Sequence, residues 1–280
     1  METGKLYICA TPIGNLEDVS VRLLKTLRGV DLIACEDTRQ SLKLLNRYHI
    51  KKPLVSYHQH SSQGREDYIV EQLLAGKKVA LISDAGMPGI SDPGEELIAR
   101  AIEQGINLEV IPGPSALVTA LTLSGLATSA FLYAGFLPNR SGKRREMLTA
   151  LKDQPWTVIF YEAPHRLLST LSDMEEILGP ERRVAVAREL TKKHEEVVRG
   201  TVGEVKGLFL EKAPRGEITL VVDAAPERPA PAKNIEEIVA ETRELIEAGM
   251  EKKEALKMKA REYGLKKSSL YRHLVEKDQE

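Results

Sequence analysis

The stretch "KKVALISDAGMPGISDPGEELIARAIEQG", residues 77–105, runs from a β-branched apolar segment through a loop into a helical pattern. Its middle, Ser83 to Glu96, holds three glycines, two prolines and two Ser-Asp pairs in fourteen residues. A surface turn needs far less. A buried strand followed by so stiff and bare a loop, and then by a helix, is the unit of a parallel α/β sheet. Such a loop also suggests that something lies against its backbone.

Neighbouring segments repeat the unit. "KLYICA" (5–10), "DLIACE" (31–36), "PLVSYH" (53–58) and "NLEVIP" (107–112) read as strands. "VRLLKTLRG" (21–29), "SLKLLNRYHI" (41–50), "GREDYIVEQLLAG" (64–76) and the segment after Pro114 read as helices. Five strands separated by helices predict a mainly parallel sheet covered on both faces. From "SAFLYAGF" (129–136) the style changes. "TVIFYEAP" (157–164), "RRVAVAREL" (182–190), "EEVVRGTV" (195–202) and "EITLVVDAA" (217–225) are strands, with two clear helices near Arg144–Leu151 and Leu167–Leu178. Short connections between them predict antiparallel pairing, hence a mixed sheet in a second α/β domain. "DAAPERPAPAKN" (223–234) has linker composition, and from Ile235 to Glu280 the pattern is helical. The expected division is 1–114, 115–224, a linker at 225–234 and a small helical domain at 235–280.

Bulk properties exclude several classes. With 40 Lys and Arg against 41 Asp and Glu, the 280-residue chain has a formal charge of −1, so any basic surface is local. No apolar run reaches the roughly 18 residues that span a bilayer, and the start lacks a signal-peptide layout, which points to the cytoplasm. The only cysteines, Cys9 and Cys35, end apolar runs and read as buried reduced thiols; their spacing matches no metal site.

Three Gly- and Pro-rich loops follow strands of the first domain: "TPIGNLED" (11–18), "SDAGMPGISDPG" (83–94) and "PGPSA" (112–116). In open parallel sheets ligands sit beyond the carboxyl ends of the strands, so all three face one side. The first loop is neither a dinucleotide fingerprint nor a Walker A loop, and no metal-ligand set or nucleophile elbow occurs. What remains is a small polar cofactor held largely by backbone. Helix capping is a second task for these loops. Asp92 suits an N-cap, Pro93 the first helical position and Glu95 the capping-box partner, which accounts for "SDPGEE" but leaves "SDAGMPG" unexplained.

Together "LYICATPIGNLEDVSVRLLKTL", "LIACEDTR", "ALISDAGMPGISDPG", "VIPGPSALVTAL", "FYEAPHRL" and "RGEITLVV" resemble the tetrapyrrole-methylase superfamily. The similarity runs from about Lys5 to Val222. It is closest to the bacterial branch that methylates the ribose 2′-oxygen of a cytidine (1402) in the decoding centre of 16S ribosomal RNA. The resemblance implies two α/β domains with S-adenosylmethionine folded between them, in a homodimer. It assigns Pro12 to the first wall of the cofactor site. Ser83, Asp84, Ala85, Gly86, Met87 and Ile90 would hold the methionyl part, continued by Ser115 and Ala116. Tyr161, Glu162, Gly216, Glu217, Ile218 and Thr219 would close over the adenosine.

A ribose hydroxyl is a weak nucleophile, so methyl transfer to it needs alignment and a proton acceptor. Glu36, Asp37 and Arg39 in "CEDTR", and His58 and His60 in "SYHQH", end strands on the site edge. Asp37 and His58 are the leading candidates, and the choice stays open because "EDTR" also suits a structural ion pair. For RNA, "NRSGKRRE" (139–146) is a basic loop carrying Arg140, Lys143, Arg144 and Arg145, which reads as a phosphate clamp. In the tail, Ala260, Gly264 and Leu270 have helix-turn-helix spacing, with Lys266, Lys267 and Arg272 about the second helix. A small helical bundle explains the same pattern. Few aromatics accompany these charges, so base stacking is not indicated. Two rivals remain: a methylase of corrin precursors, and a nucleic-acid-binding regulator without catalysis.

Overall fold

The computed structural model describes residues 3–58, 63–211, 214–226 and 234–276. The chain divides into two compact units, Met1–Ala225 and Pro226–Glu280. In the first unit, strands β1 (Lys5–Cys9), β2 (Leu32–Cys35), β3 (Leu54–Ser56), β4 (Lys78–Ile82) and β5 (Asn107–Ile111) form a sheet in the order β3-β2-β4-β1-β5. Every pairing is parallel. Helices α1 (Val21–Gly29), α2 (Thr38–Arg47), α3 (Gln63–Leu74) and α4 (Glu95–Glu103) connect them. Successive residues of a strand point to opposite faces, and here both faces are buried. Val79 and Leu81 enter one core with Leu6, Ile69 and Leu97; Ala80 and Ile82 enter another with Leu23, Leu27 and Leu45. Cys9 and Cys35 are free, buried thiols, and burial pushes Cys9 up to about 12.

Register decides where the loops emerge. Cys9 and Cys35 both pair with Ile82, and Cys9 also pairs with Ile111. Four strands therefore end at one level, and the loops that follow them share an edge.

The second sheet contains β6 (Phe131–Phe136), β7 (Thr157–Glu162), β8 (Arg183–Arg188), β9 (Glu196–Thr201) and β10 (Ile218–Val222), ordered β6-β7-β10-β8-β9. Only β6 and β7 pair in parallel. Helix α5 (Ala116–Ser124) packs Ala120 and Leu121 on Ile159, Ala185 and Val221. Helices α6 (Ser141–Leu151), α7 (Leu167–Leu178) and α8 (Val202–Glu211) cover the other face through Leu148, Leu171 and Val205 against Phe160, Val186 and Leu220.

Three local expectations need correction. Helix α8 was not foreseen, although Val202, Val205 and Phe209 are buried at helical spacing; Gly203 and Gly207 disguise it. The basic segment 139–146 is no loop, because α6 begins at Ser141. Helix α4 starts at Glu95 rather than Pro93, and Asp92 is not its cap. Pro93 stays in the loop, its carbonyl accepting from Gly89 N at 3.3 Å, and Gly94 at φ +147° turns the chain into the helix.

The second unit contains α9 (Ile235–Glu247), α10 (Lys252–Glu262) and α11 (Lys267–Glu276). Their core is Ile238, Val239, Leu256, Ala260, Leu270 and Leu274. Asn234 caps α9 by accepting from Glu237 N at 2.8 Å. Gly264 at φ +64° closes α10, letting Leu265 N reach Ala260 O at 2.8 Å. Most of the expected linker, 227–233, lies outside the described residues. Among the described residues no helix is long and apolar enough to cross a membrane.

Candidate active site

The loops after β1 and β4 are clipped to each other. Thr11 N donates to Gly86 O at 2.8 Å and Gly86 N to Thr11 O at 3.1 Å. The Thr11 hydroxyl reaches Ser83 O at 3.1 Å, and the Ser83 hydroxyl reaches Gly86 O at 3.2 Å. Gly86 adopts φ +80°, a conformation that a side chain disfavours. The loop after β5 packs as closely: a Cβ on Gly113 would lie 3.0 Å from the Cβ of Ala10. The glycines therefore let three loops approach one another, and Ser83 spends its hydroxyl on loop shape.

A cavity of about 730 Å³ opens between this edge and the second sheet. The first sheet contributes Ala85, Gly86, Met87 and Ile90, and the start of α5 contributes Ser115 and Ala116. Tyr161, Glu162 and the run Gly216, Glu217, Ile218 and Thr219 line it from the second sheet. Pro12, Ser83 and Asp84 line a neighbouring cavity of about 460 Å³, which shares Ile13, Ala85 and Glu217 with the larger one. Glu162 contributes little beyond its backbone. Its fully buried carboxylate accepts from the Thr170 hydroxyl at 2.6 Å and from Ala163 N at 2.8 Å, and pairs with Arg166. Glu217 is ion-paired with Lys192 at 3.0 Å.

The catalytic candidates separate sharply. Asp37 caps α2, accepting from Arg39 N and from the Arg39 guanidinium, both at 2.8 Å. That guanidinium holds the Asp37 carboxyl down at about 2, which makes it a poor base. Asp37 N donates to Asp84 Oδ1 at 3.1 Å. Glu36 is raised by burial and by Asp84, and Asp84 is raised by burial. His58 is exposed and close enough to Glu36 to favour its ionised form, while His60 lies outside the described residues. None of Glu36, Asp37, Arg39 and His58 lines the larger cavity. Asp92 does. Burial, then Glu36 and Asp84, push it up to about 7. Sequence reasoning missed Asp92 because the cap pattern absorbed it. It also missed Ser91, Tyr133 and Phe136 of the same wall.

The donor set suits a cationic nucleoside. Ile13, Met87, Ile90, Leu117, Leu190 and Ile218 supply apolar wall. Asp92 in the wall, with Asp84 in the neighbouring cavity and Glu36 close enough to raise it further, makes a negative region that favours a positive group. Among the described residues no group of three His, Cys, Asp or Glu side chains is arranged to hold a metal ion.

The proposed phosphate clamp loses its centre. Arg144 is 5 % exposed and bonds Asp173 at 2.7 Å, and Arg145 binds both Asp173 at 3.2 Å and Glu176. Arg144 joins α6 to α7, so its charge is directed inward. Arg140 and Lys143 are exposed, as are Lys266, Lys267 and Arg272 in the second unit.

Residues 5–206 match the family model of the tetrapyrrole (corrin/porphyrin) methylases. A protein of Synechocystis sp. named ribosomal RNA small subunit methyltransferase I is 45% identical, over 98% of this chain and 98% of its own. One of the same name from Thermotoga maritima is 52% identical over 78% of this chain and 98% of its own. Among solved structures, diphthine synthase superposes with a TM-score of 0.63 at 14% identity, covering 79% of this chain and 89% of its own. The cobalt precorrin-4 methyltransferase CbiF gives 0.59 at 17%, covering 78% and 94%; at such identities the likeness concerns fold alone. Methyltransferases of this family depend in general on S-adenosylmethionine. The chain belongs to the tetrapyrrole (corrin/porphyrin) methylase family and is a methyltransferase.

Proposed function

We propose that this enzyme transfers a methyl group from S-adenosylmethionine to the ribose 2′-oxygen of a cytidine, position 1402, in 16S ribosomal RNA of the small subunit. The observation that carries this is the 45% identity to a small-subunit RNA methyltransferase over 98% of both chains. The resemblance of the loop set supports the ribose position. It also implies a homodimer, and the sequence features noted above favour the cytoplasm.

The cofactor, when bound, supplies an already activated methyl group, so the protein's work is alignment and proton removal. Ala85, Gly86 and Met87, shaped by the Thr11–Gly86 bridge, would hold the methionyl part with Ser115 and Ala116 at the start of α5. Tyr161 and the Gly216–Thr219 backbone would hold the adenosine. Asp92 replaces Asp37 and His58 as the best candidate for the proton acceptor. It lines the cavity, and its carboxyl titrates near neutrality, where a base is most effective. Arg140, Lys143, Lys266, Lys267 and Arg272 are the basic residues left for phosphates.

The test is transfer of tritiated methyl groups to unmethylated small subunits, followed by nuclease mapping. Label on one ribose is expected. Label on a base would reject the 2′-oxygen, and cofactor binding without any transfer to subunits would reject ribosomal RNA as the substrate.

A further inference from the structure

Two aromatic residues of β6, Tyr133 and Phe136, stand three positions apart. In a regular strand, side chains three apart point to opposite faces. Here the pairing of β6 with β7 slips: Tyr133 faces Ile159 and Phe136 faces Tyr161, so three steps on β6 oppose two on β7. Gly135, at φ +67°, lies within the slip. Such a bulge re-aims side chains. Both rings now meet Tyr161, edge to face, with centroids 5.2 Å and 5.6 Å from it. The Tyr133 hydroxyl is in turn bonded to Ser91 at 2.5 Å, which ties the cluster to the loop after β4.

The cluster is graded in exposure. Ile218 and Thr219 in the same cavity are 3 % and 4 % exposed, whereas Phe136 is 54 % exposed. A large apolar ring is thus displayed at the rim of a cavity whose deeper wall is closed. An RNA strand cannot enter a space of about 730 Å³; only a nucleotide turned out of its stack can, and it must pass the rim. A base removed from its neighbours needs a new stacking partner, and an aromatic side chain provides one.

We propose that Phe136, backed by Tyr133 and Tyr161, is the surface on which the target nucleobase stacks when its ribose reaches the methyl donor. This rests on the RNA-methylating function proposed above, and it assigns base contact to the most exposed ring of the cavity wall, with Tyr161 behind it left to the cofactor. It also revises the expectation, drawn from the sparse aromatics near the basic segments, that bases are not stacked.

The experiment compares wild type with Phe136→Ala and Phe136→Trp. It measures retention of unmethylated small subunits in the presence of S-adenosylhomocysteine, and cofactor affinity by calorimetry. Phe136→Ala is expected to weaken subunit binding roughly ten- to a hundredfold, a far larger factor than any change in cofactor affinity, with Phe136→Trp close to wild type. A parallel loss of cofactor affinity would assign the ring to the cofactor instead. Unchanged subunit binding by Phe136→Ala would overturn the proposal outright. Failure of the wild type itself to bind subunits would reject the RNA function, and the stacking surface with it.

Discussion

The two sheets of the first unit build one cavity by different means. The parallel sheet contributes an edge. Its strands end level, and loops of glycine and proline leave them to line the cavity. The mixed sheet contributes side chains, in particular a pair of β6 aromatics brought to one face by a bulge. An edge of stiff loops clipped to one another suits a small ligand of fixed shape. A rim of half-exposed rings suits a flat group presented by a larger one. Each half also fails differently when altered, which makes the contrast testable.

The largest effect is expected within the mixed sheet's helical cover. Arg144→Ala leaves Asp173 buried without its main partner and should cost about 3–5 kcal/mol in urea unfolding. Lys143→Ala next to it is exposed and should stay within about 0.5 kcal/mol of wild type. Equal stability of the two variants would return Arg144 to the RNA-binding surface. On the parallel edge, Gly86→Val forces a branched side chain to φ +80°. It should lose about 1–2 kcal/mol of stability and at least tenfold in cofactor affinity by calorimetry. Retained affinity would show that the clip between the first and fourth loops does not shape the site.

A pH-dependent effect separates Asp92 from its neighbours. The folded protein raises its carboxyl from the usual range to about 7, so the unfolded chain ionises first. Stability present at pH 4 is then lost as pH climbs to about 7. Asp92→Asn should melt with wild type at pH 4 and above it at pH 8. Wild-type affinity for the cationic cofactor should tighten between pH 6 and pH 8, and that of Asp92→Asn should stay flat. The smallest effect belongs to Asp37→Ala, which removes the cap of α2 and should lower Tm by no more than a few degrees. Because Asp37 is held at about 2 and lies off the larger cavity, turnover should be nearly unchanged. A hundredfold fall in turnover with normal cofactor binding would reinstate it as the base.

Legibility follows the same division. Val21–Gly29 and Leu167–Leu178 form the helices their apolar spacing predicts, and the run "KKVALI" forms β4 with four buried residues in succession. The loops after β1, β4 and β5 were visible because glycine and proline act on their own backbone, without reference to distant partners. Arg144 was misread because its partner Asp173 is 29 residues away, and a charge looks the same whether it faces water or a buried carboxylate. Asp92 is misread because Asp-Pro before a run of glutamates satisfies the capping pattern, while what raises it is its burial in the fold, then the carboxyls Glu36 and Asp84 from the ends of β2 and β4.

Sequence alone therefore determined the alternation of strands and helices, the edge on which the Gly- and Pro-rich loops gather and the family whose loops it carries. Each depends on short-range preferences: period, backbone freedom and turn chemistry. Tertiary structure decided which carboxyl is raised toward neutrality, which arginine is spent in the interior and which aromatic ring stands at the rim. Those properties are set by desolvation, by pairing across the chain and by a slip of register between two strands, and no local stretch of residues encodes them.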